Sequence, residues 1–127
     1  MSTRTVLIAD DSAAMRAMVV AVVKSLGDHH IVEAASGLDA LKFLPHGHID
    51  LILTDKNMPD INGLELLSYL RKNQNYKDIP VFIISSEGSA KDIEKGRQSG
   101  ADEYVVKPFS PDALKLLISR YLCKSDE

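Results

Sequence analysis

Three carboxylates, a hydroxyl and an ammonium stand at corresponding places in this sequence, each just beyond a short apolar run. Asp10 and Asp11 follow residues 5–9, Asp55 follows 51–53, Ser85 follows 79–84, and Lys107 follows 104–106. Each has an ordinary structural reading. Asp10 and Asp11 suit helix caps, Asp55 an Asx-turn with Asn57, Ser85 a cap or turn, and Lys107 a solvated surface. If the runs are neighbouring strands, however, the five side chains meet at one edge. Three carboxylates so close repel one another, and a hard divalent cation that accepts carboxylate and phosphate oxygens relieves the repulsion. A central carboxylate can then attack phosphorus and form an acyl phosphate, while metal, lysine and hydroxyl neutralise the phosphoryl oxygens. Asp55, between the others, is the natural nucleophile. Asp10 and Asp11 suit the metal, and Lys107 and Ser85 suit the phosphoryl group.

The elements that would position these residues alternate along the chain. Residues 5–9 read as β1, continuously apolar and so covered on both faces. Helix α1 opens at Ser12 and stops at Gly27, with Met15, Met18, Val19, Val22, Val23 and Leu26 at helical spacing. Residues 30–34 read as β2, 37–44 as a short α2 closed by Pro45, and 50–54 as β3. Helix α3 at 63–72 presents Leu64, Leu67, Tyr69 and Leu70 as its buried side. Residues 79–84 form β4, with Pro80 near its start, where proline is tolerated. Helix α4 at 90–99 is weakly apolar and carries Gly96 inside, so it is expected to be the least stable helix. Residues 104–106 form β5, and α5 at 111–121 turns Leu114, Leu117, Ile118 and Tyr121 to one side.

Strict alternation implies an α/β fold. The expected architecture is a doubly wound, five-stranded parallel sheet, (βα)5 and flavodoxin-like, with right-handed crossovers and helices on both faces. Its usual strand order is 2-1-3-4-5, which puts β1 beside β3 and makes the carboxyl edge of the sheet the binding edge.

Composition bounds the rest. The 127 residues are read as one domain, large enough to bury roughly two-thirds of the unfolded surface. A formal charge of -3 offers no general attraction to nucleic acid or to an anionic membrane. The single Cys123 excludes an internal disulfide and fits a reducing compartment, so a cytoplasmic location is expected. The longest apolar run, 17–23, is far short of the ~20 residues that span a bilayer.

The Asp10-Asp11 pair, the run from Asp55 through Lys56, Asn57, Met58 and Pro59 to Gly63, Ser85, and the segment from Gly100 to Lys107 and Pro108 together resemble the receiver domain of a two-component response regulator, of the CheY-like type. The resemblance covers nearly the whole chain, and the 2-1-3-4-5 order is that family's own. It implies that a histidine kinase or phosphotransfer protein donates a phosphoryl group to Asp55. Mg²⁺, or Mn²⁺ in its place, would be held by Asp11, Asp55 and the Asn57 backbone carbonyl, with Asp10 assisting partly through water. Ser85 would then move toward the phosphoryl group and Tyr104 would turn inward, a population shift read by a partner protein at the face formed by α4, β5 and α5. On this reading the chain is no enzyme beyond catalysing its own phosphorylation and dephosphorylation.

Asn57 and Glu87, each two residues past a site residue, are expected to tune the lifetime of the phosphorylated state. Lys56, where the family more often has an apolar or aromatic residue, is expected to point to solvent. Ser85 keeps the hydroxyl of the family's usual threonine. His29, His30, His46 and His48 are assigned no role. A flavodoxin-type nucleotide binder would share the fold, but Asp10 and Asp11 would repel phosphate without metal. An aspartyl phosphatase would share the chemistry, but a second acid to protonate a leaving group is missing. No output domain is expected within these residues, whether the chain is a stand-alone regulator, in motility or elsewhere, or a receiver cut from a longer protein.

Overall fold

The computed structural model describes residues 3–122. Five parallel strands lie in the order β2-β1-β3-β4-β5: β1 Thr5–Ala9, β2 His30–Ala34, β3 Leu51–Asp55, β4 Val81–Ser85 and β5 Glu103–Val106. Helices α1 Ala13–Lys24, α2 Gly37–Phe43, α3 Gly63–Lys72, α4 Ala90–Gln98 and α5 Pro111–Leu122 connect or follow them. The expected class and strand order are those observed.

Side chains alternate across each strand, so the apolar runs feed two separate cores. Val6, Ile8, Leu51, Leu53, Phe82, Ile84 and Val105 pack with Val19 and Val23 of α1 and Leu114 and Ile118 of α5. On the other face, Leu7, Ala9, Ile52, Val81 and Ile83 pack with Ala40, Leu66, Leu67 and Leu70 of α2 and α3. Phe82, wholly buried, meets Tyr121 edge-on with ring centroids 5.0 Å apart.

Helix α1 buries the expected Val19, Val22 and Val23 and departs from expectation at Met18, whereas α3 is turned from its expected orientation. Met18 is 44% exposed and Val20 is buried instead, so α1 presents a valine stripe. On α3, Tyr69 is 46% exposed while Leu66 is 1% exposed. Leu66, Leu67 and Leu70 share the narrow arc that meets the sheet, and a tyrosine outside it keeps its hydroxyl in water.

Strand ends also shift by one or two residues. Strand β3 includes Asp55, because the Lys56 N–H donates to the Ile84 carbonyl and pairing continues past Thr54. Strand β4 begins at Val81, since Pro80 has no N–H to donate and Val81 uses its own on the Asp102 carboxylate. Pro45 sits within a single 3₁₀ turn, Leu44–His46, that prolongs α2.

The helix starts that face the binding edge are well capped. Ser12, Ser36, Asn62 and Ser89 each accept the N–H three residues on, and Asn62 with Glu65 forms a reciprocal capping box. Each such cap contributes about 1 kcal/mol and holds the loop before it. Helix α4 buries only Gly96 among its residues, in keeping with its weakly apolar sequence.

Candidate functional site

Register brings the chemical residues level. Ala9 pairs with Thr54 and Asp55 with Ile84, so Asp10 comes abreast of Asp55 and Ser85 stands one step beyond it. Ser85 pairs with Val106, which leaves Lys107 at the next step out. All five groups named from the sequence lie on this edge.

Asp10, Asp11 and Asp55 each offer a carboxylate oxygen, and these oxygens lie within 4.8 Å of one another. Asp10 and Asp55 are buried and Asp11 is exposed, which leaves one open side. The Lys107 ammonium donates to Asp55 Oδ1 at 2.6 Å, and the Asp55 side chain is only 7% exposed. Asp55 therefore engages the lysine across the site. Asp10 Oδ1 accepts the Ser12 N–H at 2.9 Å, so its turn-forming role and a place in the carboxylate cluster coexist. Burial holds the Asp10 carboxyl above its ordinary pKa; the Ser12 N–H opposes this, and the charge of Asp55 adds to it. A divalent cation bound by these three oxygens would remove that penalty, and hard carboxylate donors are the ligands Mg²⁺ and Mn²⁺ take.

Ser85 is fully buried, and its Oγ accepts the Glu87 N–H at 2.9 Å. Tyr104 is half-buried with its ring against α4: a Cβ on Gly96 would stand 2.5 Å from the ring's Cδ2. The Tyr104 hydroxyl donates to the Glu87 backbone carbonyl at 2.6 Å. Asn57 is exposed, two residues past Asp55.

Lys56 departs from expectation. Its side chain is 15% exposed and its ammonium donates to Glu87 Oε1 at 2.6 Å, so it crosses to the β4–α4 loop instead of extending into water. The cause is local, because an acidic partner lies on the neighbouring loop and the hydrogen bond to Glu87 raises the Lys56 pKa.

The positioning roles of three residues escaped the sequence reading, Gly63 having been named there only as part of the motif. At Gly63 a Cβ would lie 2.5 Å from the Asp55 carbonyl oxygen, so only glycine lets α3 start this close to the Asp55 backbone. Arg16 Nη1 donates to the Asp10 carbonyl at 2.7 Å while its Nε holds Glu33 at 3.0 Å. Asp60 accepts the N–H groups of Gly37, Leu38 and Ile61, tying the loop after Asp55 to the start of α2. Each acts across more than one element. The nearest sequence signal was the Asn62-Gly63 pair, which marks a helix start but not its neighbour.

A parallel sheet with three carboxylates at its carboxyl edge and a lysine bound to the central one defines a receiver-type architecture. The family model for the response regulator receiver domain matches residues 6–119, and the chain belongs to that family. Within it the chain is CheY-like. It is 38% identical over 110 residues to chemotaxis protein CheY-3 of Vibrio cholerae, covering 87% of this chain and 85% of that one. It is 34% identical over 110 residues to a chemotaxis protein CheY homolog of Campylobacter jejuni, covering 86% and 85%. A high-resolution structure of the chemotaxis response regulator CheY4 of Vibrio cholerae superposes with a TM-score of 0.86 at 32% identity, covering 94% of this chain and 99% of that one.

Proposed function

We propose that the chain is a phosphorylation-dependent switch. The observation that carries this reading is the Lys107 ammonium held 2.6 Å from Asp55 Oδ1, with Asp10 and Asp11 beside it. An Asp55 oxygen attacks the phosphorus of a phosphohistidine on a histidine kinase or phosphotransfer protein. As the new O–P bond forms, the P–N bond breaks and its electron pair leaves with the imidazole. Lys107 moves its ammonium from Asp55 toward the phosphoryl oxygens, where negative charge accumulates. Ser85, one step beyond, donates its hydroxyl to the same group. Asp10 and Asp11, with Asp55 and the Asn57 carbonyl, would hold Mg²⁺ or Mn²⁺. When bound, that ion neutralises charge on the carboxylates and the phosphoryl oxygens.

Phosphorylation draws Ser85 inward and favours the packed-in position of Tyr104, which changes the face of α4, β5 and α5 for a target protein. Asn57 and Glu87 flank the path of hydrolytic water and set how long the aspartyl phosphate lasts. The chain acts on no other substrate. The names of its chemotaxis relatives favour motility control as the pathway. No helix among the described residues is long and apolar enough to cross a membrane, which accords with a regulator acting in the cytoplasm on protein partners, without nucleic acid.

Incubation with Mg²⁺ and acetyl phosphate tests the reading. The protein should gain one acid-stable, base-labile phosphoryl group, and Asp55→Asn should gain none. Equal labelling of that variant overturns the assignment of Asp55.

A further inference from the structure

Glu87 holds three groups at once. Its N–H donates to Ser85 Oγ at 2.9 Å, its backbone carbonyl accepts the Tyr104 hydroxyl at 2.6 Å, and its carboxylate accepts the Lys56 ammonium at 2.6 Å. Those partners arrive from β4, from β5 and from the residue directly after Asp55. One loop residue thus joins the rim of the phosphoacceptor site to the tyrosine on α4's flank.

Ser89 anchors the far end of this loop by capping α4, and Gly88 lies close against Val106, but the stretch around Glu87 is at the surface. Residues 86–89 are all exposed, and the Glu87 side chain itself is 50% exposed. A carbonyl in such a segment is a poor anchor unless something fixes the segment. The Lys56 side chain, 15% exposed, supplies that tether from the better-buried β3 side.

We infer that the Lys56–Glu87 ion pair is a positioning clamp that fixes the Glu87 carbonyl and so biases Tyr104 toward its packed position before any phosphoryl group arrives. The pair therefore sets the resting balance of the switch. Phosphorylation would add to a bias already present, by way of Ser85, which bonds the same Glu87 backbone. What the bias is used for rests on the proposed function; the conformational effect does not.

The experiment uses the unphosphorylated, metal-free protein with its tyrosines fluorinated. Tyr104 is assigned by Tyr104→Phe, and its exposure is read by ¹⁹F NMR with a soluble paramagnetic probe. Lys56→Ala and Glu87→Gln should each raise the solvent-accessible Tyr104 population roughly two- to fivefold, the effect expected of a partly exposed ion pair. High salt should move the unmodified protein in the same direction. The charge-reversed double variant, Lys56→Glu with Glu87→Lys, should return Tyr104 toward its original signal. Tyr69, Tyr76 and Tyr121 serve as internal reporters that each variant is folded. An unmoved Tyr104 signal in both single variants overturns the clamp, and so does a displaced signal that charge reversal leaves displaced. Failure of acetyl phosphate to label the unmodified protein would instead remove the proposed function and leave the clamp standing.

Discussion

Replacing a buried acid in the carboxylate cluster should make the metal-free protein more stable. Asp10 is 3% exposed, and its carboxyl is pushed above the ordinary pKa by burial first, against the lowering effect of the Ser12 N–H, and further by Asp55. Between the ordinary and the raised value, the folded chain holds a proton that the unfolded chain has released. Stability therefore falls as pH rises through that interval, and the deficit persists at neutral pH. Coulomb's law gives the size of the strain. At the 4.8 Å limit within which these oxygens lie, two unit charges repel by about 1 kcal/mol in water and about 3.5 kcal/mol at an effective dielectric constant near 20. Asp10 faces Asp55 in the buried part of the site and Asp11 at its open side, while Lys107 offsets part of the repulsion. The net penalty should be about 1–2 kcal/mol, near the lower end of that range.

Asp10→Asn removes the charge and keeps an oxygen to accept the Ser12 N–H, now at 2.9 Å. With a chelator present at pH 7, the variant should melt about 3–10 °C above the unmodified protein. As pH falls toward the ordinary carboxylate range, the gap should narrow, because the unmodified chain then binds the relieving proton. Added Mg²⁺ should raise the melting temperature of the unmodified protein in proportion to the logarithm of its concentration, and that of the variant by less. Thermal unfolding followed by circular dichroism reads all three effects. A variant that melts at or below the unmodified protein in chelator would refute the claim that the site is strained by its own charges.

Two further changes probe the same edge. Lys107→Met should act with the opposite sign, destabilising the metal-free protein by about 1–3 kcal/mol because it strips a buried carboxylate of its counter-charge, and it should slow labelling by acetyl phosphate; a variant as stable and as quickly labelled as the original would remove Lys107 from the site. Gly63→Ala should destabilise by about 1–3 kcal/mol through overpacking against the Asp55 backbone, whereas Gly47→Ala, with nothing within 4 Å of its added Cβ, should be neutral or slightly stabilising; an equal outcome in paired melts would show that α3 is not pressed against the nucleophile.

Much of the fold was legible because four of its strands, β1, β3, β4 and β5, are short apolar runs that end at a polar residue. In a parallel sheet that ending is also the binding edge, so one reading located the strands and the site together. Asp10, Asp55, Ser85 and Lys107 could be named because each is defined by its own strand's end. The exposure of Met18 on α1 and the turn of α3 could not, since helical spacing admits several neighbouring stripes and only contact with the sheet selects one. Met18 and Tyr69 fell on the unselected side.

Lys56 and Glu87 show a deeper limit. They are 31 residues apart, on loops whose relation depends on the register of β3 against β4, and neither belongs to a repeating pattern. Gly63 against Asp55 and Arg16 against Asp10 are closer in sequence, yet they too depend on how a helix is set against a strand end and follow no repeating pattern. These are contacts that hold chemical residues in place, and they lie between elements. The proposed nucleophile, the proposed metal ligands and the groups that would bind the phosphoryl oxygens must have particular chemistry, so their identities betray them in sequence. A residue that merely positions them needs only reach and a partner, which many side chains can supply. It follows that Glu87, whose carboxylate, N–H and carbonyl each serve a different neighbour, could be recognised as a junction only once the loops were seen side by side.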